Sequence, residues 1–515
     1  MMFRSRPGRV RCALGLTFVP VLAYALLGSL GACDYVAYVG NYDIPDGTVT
    51  DAGPDVDADI DASVPCGPKS CFAPATCLDP QGEGKCSNDI MSISAGGETT
   101  CAFLADASLW CWGGNQFGAL GLSSEGDSQC DPGDGTRVAC RHKPSPVPGM
   151  NDVIHVSAGL RSVCAVKRDN SLWCWGNNHF GQLGHAPNTA GDRLCPMVNE
   201  GTSLAPAEEC NSVPTRVEGL SAIEVVVNRD HACAIKTDGL VVCWGKNQSY
   251  ALGTQAIGQG EATHVPQPVD SLKKSLHLAT GISSYHTCAI VGERQQVWCW
   301  GANNFNELGH PKTRDTECSG NCSFKASPVV QSNGDAAADV PLDKVTELAV
   351  GYTFACALRD GRVYCWGSND FGTLGKDAVG SSNPNQIQAL PLARGLGGRF
   401  IHACAATEEQ RVFCWGANLL GAVGTGDILG ERCKETSACR LSPYNTTLDH
   451  VVGIAVGAST SYALFDKRWA ISAWGDNSTA RLGHPQNEAG DFTNCGDIPH
   501  ESVCNATPRP IPRFP

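Results

Sequence analysis

The sequence predicts an all-β protein, a seven-bladed β-propeller with disulfide-stapled blades, on three observations. One short unit recurs: "SLWCWGGNQFGALG" at 108–121 is nearly rewritten as "SLWCWGNNHFGQLG" at 171–184, and Trp112, Trp175, Trp244, Trp300, Trp366, Trp415 and Trp474 mark seven copies. Six copies carry two cysteines 9 to 11 residues apart across a turn. The chain is also rich in turn formers, with 58 Gly and 30 Pro in 515 residues and only 17% charged side chains.

The N-terminal segment is set apart from this array. Arg4, Arg6, Arg9 and Arg11 precede an apolar run from Ala13 to Leu30, the layout of an export signal spanning 1–32. The following Leu-Gly-Ala-Cys resembles the lipobox of bacterial lipoproteins, which implies a lipid on Cys33 and a membrane-anchored place in the cell envelope, with the leaflet open. Plain secretion and a retained apolar anchor are the other readings of the run. Loss of 1–32 moves the net charge from -14 to about -18. An acidic surface opposes phosphate binding, so nucleic acid is excluded as a partner.

Residues 33–64 read as a lipidated, acidic linker that self-repulsion keeps extended. The segment 65–87 is too short to own a core, and Cys66, Cys71, Cys77 and Cys86 define it through two bridges whose connectivity the sequence leaves open.

From 88 to 515 the cysteines report the strand pairing. Cys101 with Cys111, Cys164 with Cys174, Cys233 with Cys243, Cys288 with Cys299, Cys356 with Cys365, and Cys404 with Cys414 each flank a hairpin turn such as Asp360-Gly361, which sets the two sulfurs opposite each other. In the seventh copy the equivalent positions are read as Ala463 and Ala473, so both partners are lost together. Five more pairs read as local staples of inter-repeat loops: Cys130 with Cys140, Cys195 with Cys210, Cys318 with Cys322, Cys433 with Cys439, and Cys495 with Cys504. Cys318 and Cys322 near His310 do not match a zinc signature, and no metal or cofactor is expected.

In "LWCWG" alternation puts Leu172 and Cys174 on one face and Trp173 and Trp175 on the other, so each small sheet is apolar on both faces and stacks between neighbours. The copies lie 49 to 69 residues apart, which makes the variable segments loops on a constant unit. The tail "ATPRPIPRF" reads as a strand laid beside the first unit, so that the termini share a blade.

The nucleus Cys-Trp-Gly, or Ala-Trp-Gly, followed by Asn and Leu-Gly or Val-Gly, resembles the repeat of the regulator of chromosome condensation family over roughly 91–515. The resemblance implies a seven-bladed propeller. It also covers His231, His286 and His402, just before the Cys position, which are read as closing strand-end hydrogen bonds near the central channel.

No HExxH, GxSxG, phosphate loop or CxxC pair is present, so no catalytic residue is nominated. The predicted function is an envelope-anchored scaffold, monomeric, that binds a protein through the variable segments 122–148, 185–215, 310–340 and 427–447. An enzyme acting on envelope polysaccharide or peptide is the alternative. Guanine-nucleotide exchange is implied only by the family resemblance, and its cytosolic partners suit an exported protein poorly.

Overall fold

The computed structural model describes residues 63–66, 69–72 and 88–511, apart from 133–136, 198–204, 270, 313–314, 316–320, 333–338, 377–379, 429–430, 434–436, 466–469, 488–490 and 494–502. The export signal 1–32, Cys33 and residues 34–62 of the linker lie outside the described residues. The strand Ser63–Cys66, which joins the end of the linker to the Cys-rich segment, pairs antiparallel with Lys69–Phe72; Cys77 and Cys86 fall outside the description.

From Ile90 onward seven four-stranded antiparallel units follow one another. In unit one the order from inside to outside is Ile90–Ala95, Thr99–Leu104, Leu109–Gly114 and Val138–Pro146. The first strands of the other units are Val153–Ala158, residues 222–227 of the long strand Ala205–Val227, Ser275–Thr280, Val345–Val350, Ala393–Gly398 and Val451–Val456. Ala205–Val227 ends unit two and starts unit three, so those two sheets are continuous. All seven first strands line one central cavity of about 240 Å³, the propeller channel.

Packing between units follows one rule. The disulfide face of each unit meets the tryptophan face of the next: Cys101 and Cys111 share a buried cluster with Trp175, and Cys164 and Cys174 share one with Trp244. The pairing of third and fourth strands slips at this Trp in every unit, as between Cys111 and Gly113. A bulge of this kind re-aims the indole toward the neighbouring unit. The glycine after it has φ between 101° and 108° in all seven copies, a conformation that strains any other residue.

Each indole N–H then donates to a carbonyl in the loop of the preceding unit: Trp175 to Ala119, Trp244 to Gln182, Trp300 to Ala251, Trp366 to Glu307, Trp415 to Thr373 and Trp474 to Ala422, at 2.8–3.0 Å. Trp112 completes the circle by donating to Arg481 of unit seven at 2.9 Å.

The six repeat cysteine pairs sit in register and are bonded, with Cα separations of 4.0–4.1 Å. In unit seven the register corrects the sequence alignment by one residue. Ser461 faces Trp474 and Tyr462 faces Ala473, so Tyr462, not Ala463, stands at the first cysteine position. A separation of ten does not apply here, because this hairpin is one residue longer. Tyr462 is fully buried, and its hydroxyl donates to the Arg481 carbonyl at 2.6 Å and meets Thr100 of unit one at 2.8 Å.

The closure is also not the one expected. Val503–Pro510 pairs with Ile471–Asp476 in unit seven, and unit one is complete without it. The termini do not share a blade, because the tail follows the third strand of unit seven and returns along it, as fourth strands do throughout. Closure is made by the Trp112 bond, by Tyr462, by the Arg481 guanidinium donating to the Gly97 carbonyl, and by Ala458 N–H donating to the Gly96 carbonyl.

Candidate binding face and central channel

In an antiparallel unit the turn between strands one and two and the loop between strands three and four emerge at the same end. Backbone bonds join them, as from Asn177 N–H to the Arg161 carbonyl and from Lys246 N–H to the Asp230 carbonyl. The described ends of all the long insertions therefore lie on one face of the ring.

The described parts of the segments 122–148, 185–215, 310–340 and 427–447 begin here, although each segment also contains the fourth strand of its unit. Disulfides Cys130–Cys140, Cys195–Cys210 and Cys433–Cys439 join a short extra strand to that fourth strand. Cys322 and Cys504 are disulfide-bonded as well; Cys318 and Cys495 lie outside the described residues.

The Asn that recurs after each Trp-Gly, with the Leu or Val five residues on, organises these loops. In each unit the Asn carboxamide oxygen accepts the N–H five residues on, from Asn115 with Leu120 through Asn477 with Leu482, at 2.8–3.2 Å. In units one, two, four and seven the Asn amide also donates to a loop carboxylate, Asp127, Asp192, Asp315 or Asp491. His310, weighed above as a metal ligand, is fully buried with Nε2 3.8 Å from Asp315. Among the described residues no group of three or more His, Cys, Asp or Glu is placed to hold a metal.

Aromatic and cationic side chains collect on this face. Tyr352 and Phe305 are exposed, Tyr352 packs on Phe400 with ring centroids 5.7 Å apart, and Tyr250 meets Phe324 at 5.8 Å. Between the turns of units two, three and four lies a cavity of about 190 Å³ lined by Arg161, Glu208, Arg229, Asp230, Lys246 and Tyr285. Burial raises the Asp230 carboxyl above its ordinary value, and burial together with Asp230 raises the Tyr285 hydroxyl.

At the same end Arg399 reaches across the channel. Its guanidinium donates to the carbonyls of Ala95, Ala158 and Val227, at 3.2, 2.7 and 3.1 Å, tying units one, two and three to unit six. Its own carbonyl accepts Ile282 N–H, and the Phe400 carbonyl accepts Tyr352 N–H, both at 2.6 Å, which adds units four and five. Burial lowers the Arg399 pKa to about 10.

Nearer the other end, the third residue of each first strand brings His155, Glu224, His277 and Glu347 together around consecutive units. His277 Nδ1 lies 2.9 Å from Glu224, which also accepts Leu278 N–H at 2.9 Å. Burial alone would raise the Glu224 carboxyl, but His277 holds it below the usual carboxylate range. Burial opposes charge on His277, and Glu224 overcomes this and raises it. Glu347 accepts Leu396 N–H at 2.6 Å, and burial pushes its pKa up to about 7.

The sequence reading missed this arc and Arg399. Registering the first strands would have shown polar residues at one position of four successive copies. It would also have shown Arg399 standing where Gly96, Gly159, Gly281, Gly351 and Gly457 stand elsewhere. The motif histidines were noticed but misplaced. His231 and His402 point between units, to Thr287 Oγ1 at 3.5 Å and Ser461 Oγ at 2.9 Å, because the second strand lies behind the channel wall.

Comparison with known sequences follows this geometry. Two profiles described as "Regulator of chromosome condensation (RCC1) repeat" match residues 90–119, 153–182, 222–250 and 345–373, and residues 106–166, 169–235, 238–290 and 360–407. Together they span 90–290 and 345–407, more than half of the chain. The protein belongs to the RCC1 repeat family. RCC1-repeat relatives include the mouse E3 ubiquitin-protein ligase HERC2, 26% identical over 61% of this chain, of which the chain spans 6%. The Arabidopsis thaliana ultraviolet-B receptor UVR8 is 23% identical over 76% of this chain and 78% of its own length. Prp20p from Saccharomyces cerevisiae shares the fold, with a TM-score of 0.54 and 19% identity over 73% of this chain and 82% of that one. The dense disulfides place this RCC1-repeat propeller in an oxidising, extracytoplasmic compartment.

Proposed function

We propose that the protein is an exported interaction scaffold, tethered to a cell-envelope membrane through a lipid on Cys33, whose seven-bladed ring presents its three-to-four loops to a protein partner. The observation that carries this reading is the convergence on one face of the long insertions, their own disulfides, and the exposed Tyr352, Phe305 and Arg229 on that same face. Aromatic residues and arginine on a rigid frame are the composition of interface centres. Stapled loops lose little conformational freedom on binding.

The test is capture from envelope extract with the full chain made in an oxidising compartment. A saturable protein partner lost when 303–321 or 178–204 is exchanged for the short loop of unit five supports the scaffold. Retention after both exchanges, or turnover of glycan fragments without a protein partner, overturns it. Labelling of the chain with a radioactive fatty acid, abolished by Cys33→Ala, tests the anchor.

A further inference from the structure

Resting on the scaffold reading, we propose that the cavity between the turns of units two, three and four is a binding site for the carboxylate side chain of an acidic peptide segment. Three cations, Arg161, Arg229 and Lys246, line it against two carboxylates, Glu208 and Asp230. The carboxylates already have partners within the protein. Glu208 accepts from Asn177 Nδ2 at 2.7 Å and lies 3.6 Å from Arg161; Asp230 lies 3.5 Å from Arg229. Lys246 is different: its ammonium sits 4.4 Å over the Phe180 ring, and no carboxylate among the described residues lies within ion-pair distance of it.

The cavity thus carries a surplus of positive charge in a protein whose net charge is -14. The long-range field repels anions, so the attraction is local and reads as a built site. Two resident carboxylates make the cavity suited to a monoanion and unsuited to a dianion such as phosphate. The Arg229 guanidinium, with its side chain 44% exposed, offers a planar fork that matches a carboxylate. Phe180 and Tyr285 supply apolar walls for a methylene stem and a neighbouring aromatic side chain.

The probe is the peptide acetyl-Glu-Tyr-Glu-amide, titrated calorimetrically into the full chain, with acetyl-Gln-Tyr-Gln-amide, glucuronate and inorganic phosphate as separate arms. The Glu peptide is expected to bind and to weaken at least about tenfold in the Arg229→Gln/Lys246→Gln variant. It should also weaken as salt rises from 50 to 500 mM, and Lys236→Gln on the opposite face should leave it unchanged.

Equal binding of the Gln peptide, unchanged binding by the double variant, or glucuronate or phosphate binding as tightly as the peptide overturns the proposal. Both substituted side chains reach solvent, and an unchanged thermal midpoint shows that the variant folds. Partner capture separates the two levels: a partner retained by the double variant but lost on loop exchange keeps the scaffold and removes this site. Absence of any partner removes the scaffold itself.

Discussion

Proton linkage in this ring is set by a few buried side chains with opposite signs. Burial lowers His231 and His402 to about 4 and His286 to about 3, so the folded state refuses protons that the unfolded chain accepts below 6.5. Each therefore removes about 1.4 kcal/mol of stability per pH unit as pH falls from 6.5 toward its folded value, and costs nothing above 6.5. Glu347 and Glu307 act the other way, since burial raises both to about 7 from 4.5 and their contribution is lost as pH rises through that window. His155, lowered by burial, sides with the three histidines, while Asp230 and Asp491, raised by burial, side with the two carboxyls, so any climb in stability between pH 4.5 and 6.5 should be shallow. Glu347→Gln keeps an acceptor for Leu396 N–H and removes one opposing group. It should raise stability at pH 8 by on the order of 2 kcal/mol and steepen the climb below pH 6.5, read from urea midpoints across pH. An unchanged midpoint at pH 8 would mean that Glu347 is ionised in the folded state at little cost.

At the scale of the unit, the disulfide and the tryptophan are halves of one contact, and that contact was legible in the sequence because its spacing repeats. Cys233 and Cys243 close a short loop, for which chain-entropy reasoning gives about 3 kcal/mol. Cys233→Ala/Cys243→Ala should lower the unfolding free energy by that amount under oxidising conditions, and the difference from the parent should largely vanish when reductant opens the bridge in both proteins. What the sequence could not show was one register position of the seventh unit. Trp474 fixes the second cysteine position at Ala473, but without a cysteine pair nothing in the sequence marks its partner, and only the strand pairing places Tyr462 opposite it. Tyr462 fills the volume of the missing bridge and turns its hydroxyl toward unit one, a contact between residues 362 positions apart that no local pattern records. Tyr462→Phe keeps the volume and leaves the Arg481 carbonyl with only the Trp112 donor. It should cost about 1 to 2 kcal/mol in chemical denaturation. The arc in the channel was hidden for a different reason: a single polar residue in an apolar strand means little until seven strands are set side by side.

At the scale of the whole molecule, a ring built from contiguous units must be closed by something other than strand exchange, and it must resist opening at its axis. Seven indole bonds run around the circumference, one per interface, so no interface is privileged there. The axis is asymmetric. Arg399 alone holds three carbonyls from three units, while the backbone at 399–400 holds two more units. A guanidinium suits this because its five donors lie in one plane and point apart, whereas an ammonium presents them from a single atom. Arg399→Met leaves the carbonyls of Ala95, Ala158 and Val227 without that donor and should cost about 3 kcal/mol or more, since each bond to a charged group contributes about 1.5 kcal/mol or above. Arg399→Lys should fall between, because one nitrogen reaches fewer of the three acceptors. Urea unfolding of the three proteins, with the denaturant slope unchanged, measures the ranking. If lysine matches arginine, charge at the axis is what matters and the planar fork is not. If methionine matches both, water entering the channel satisfies the three carbonyls as well as Arg399 does, and the ring is held by its circumference alone.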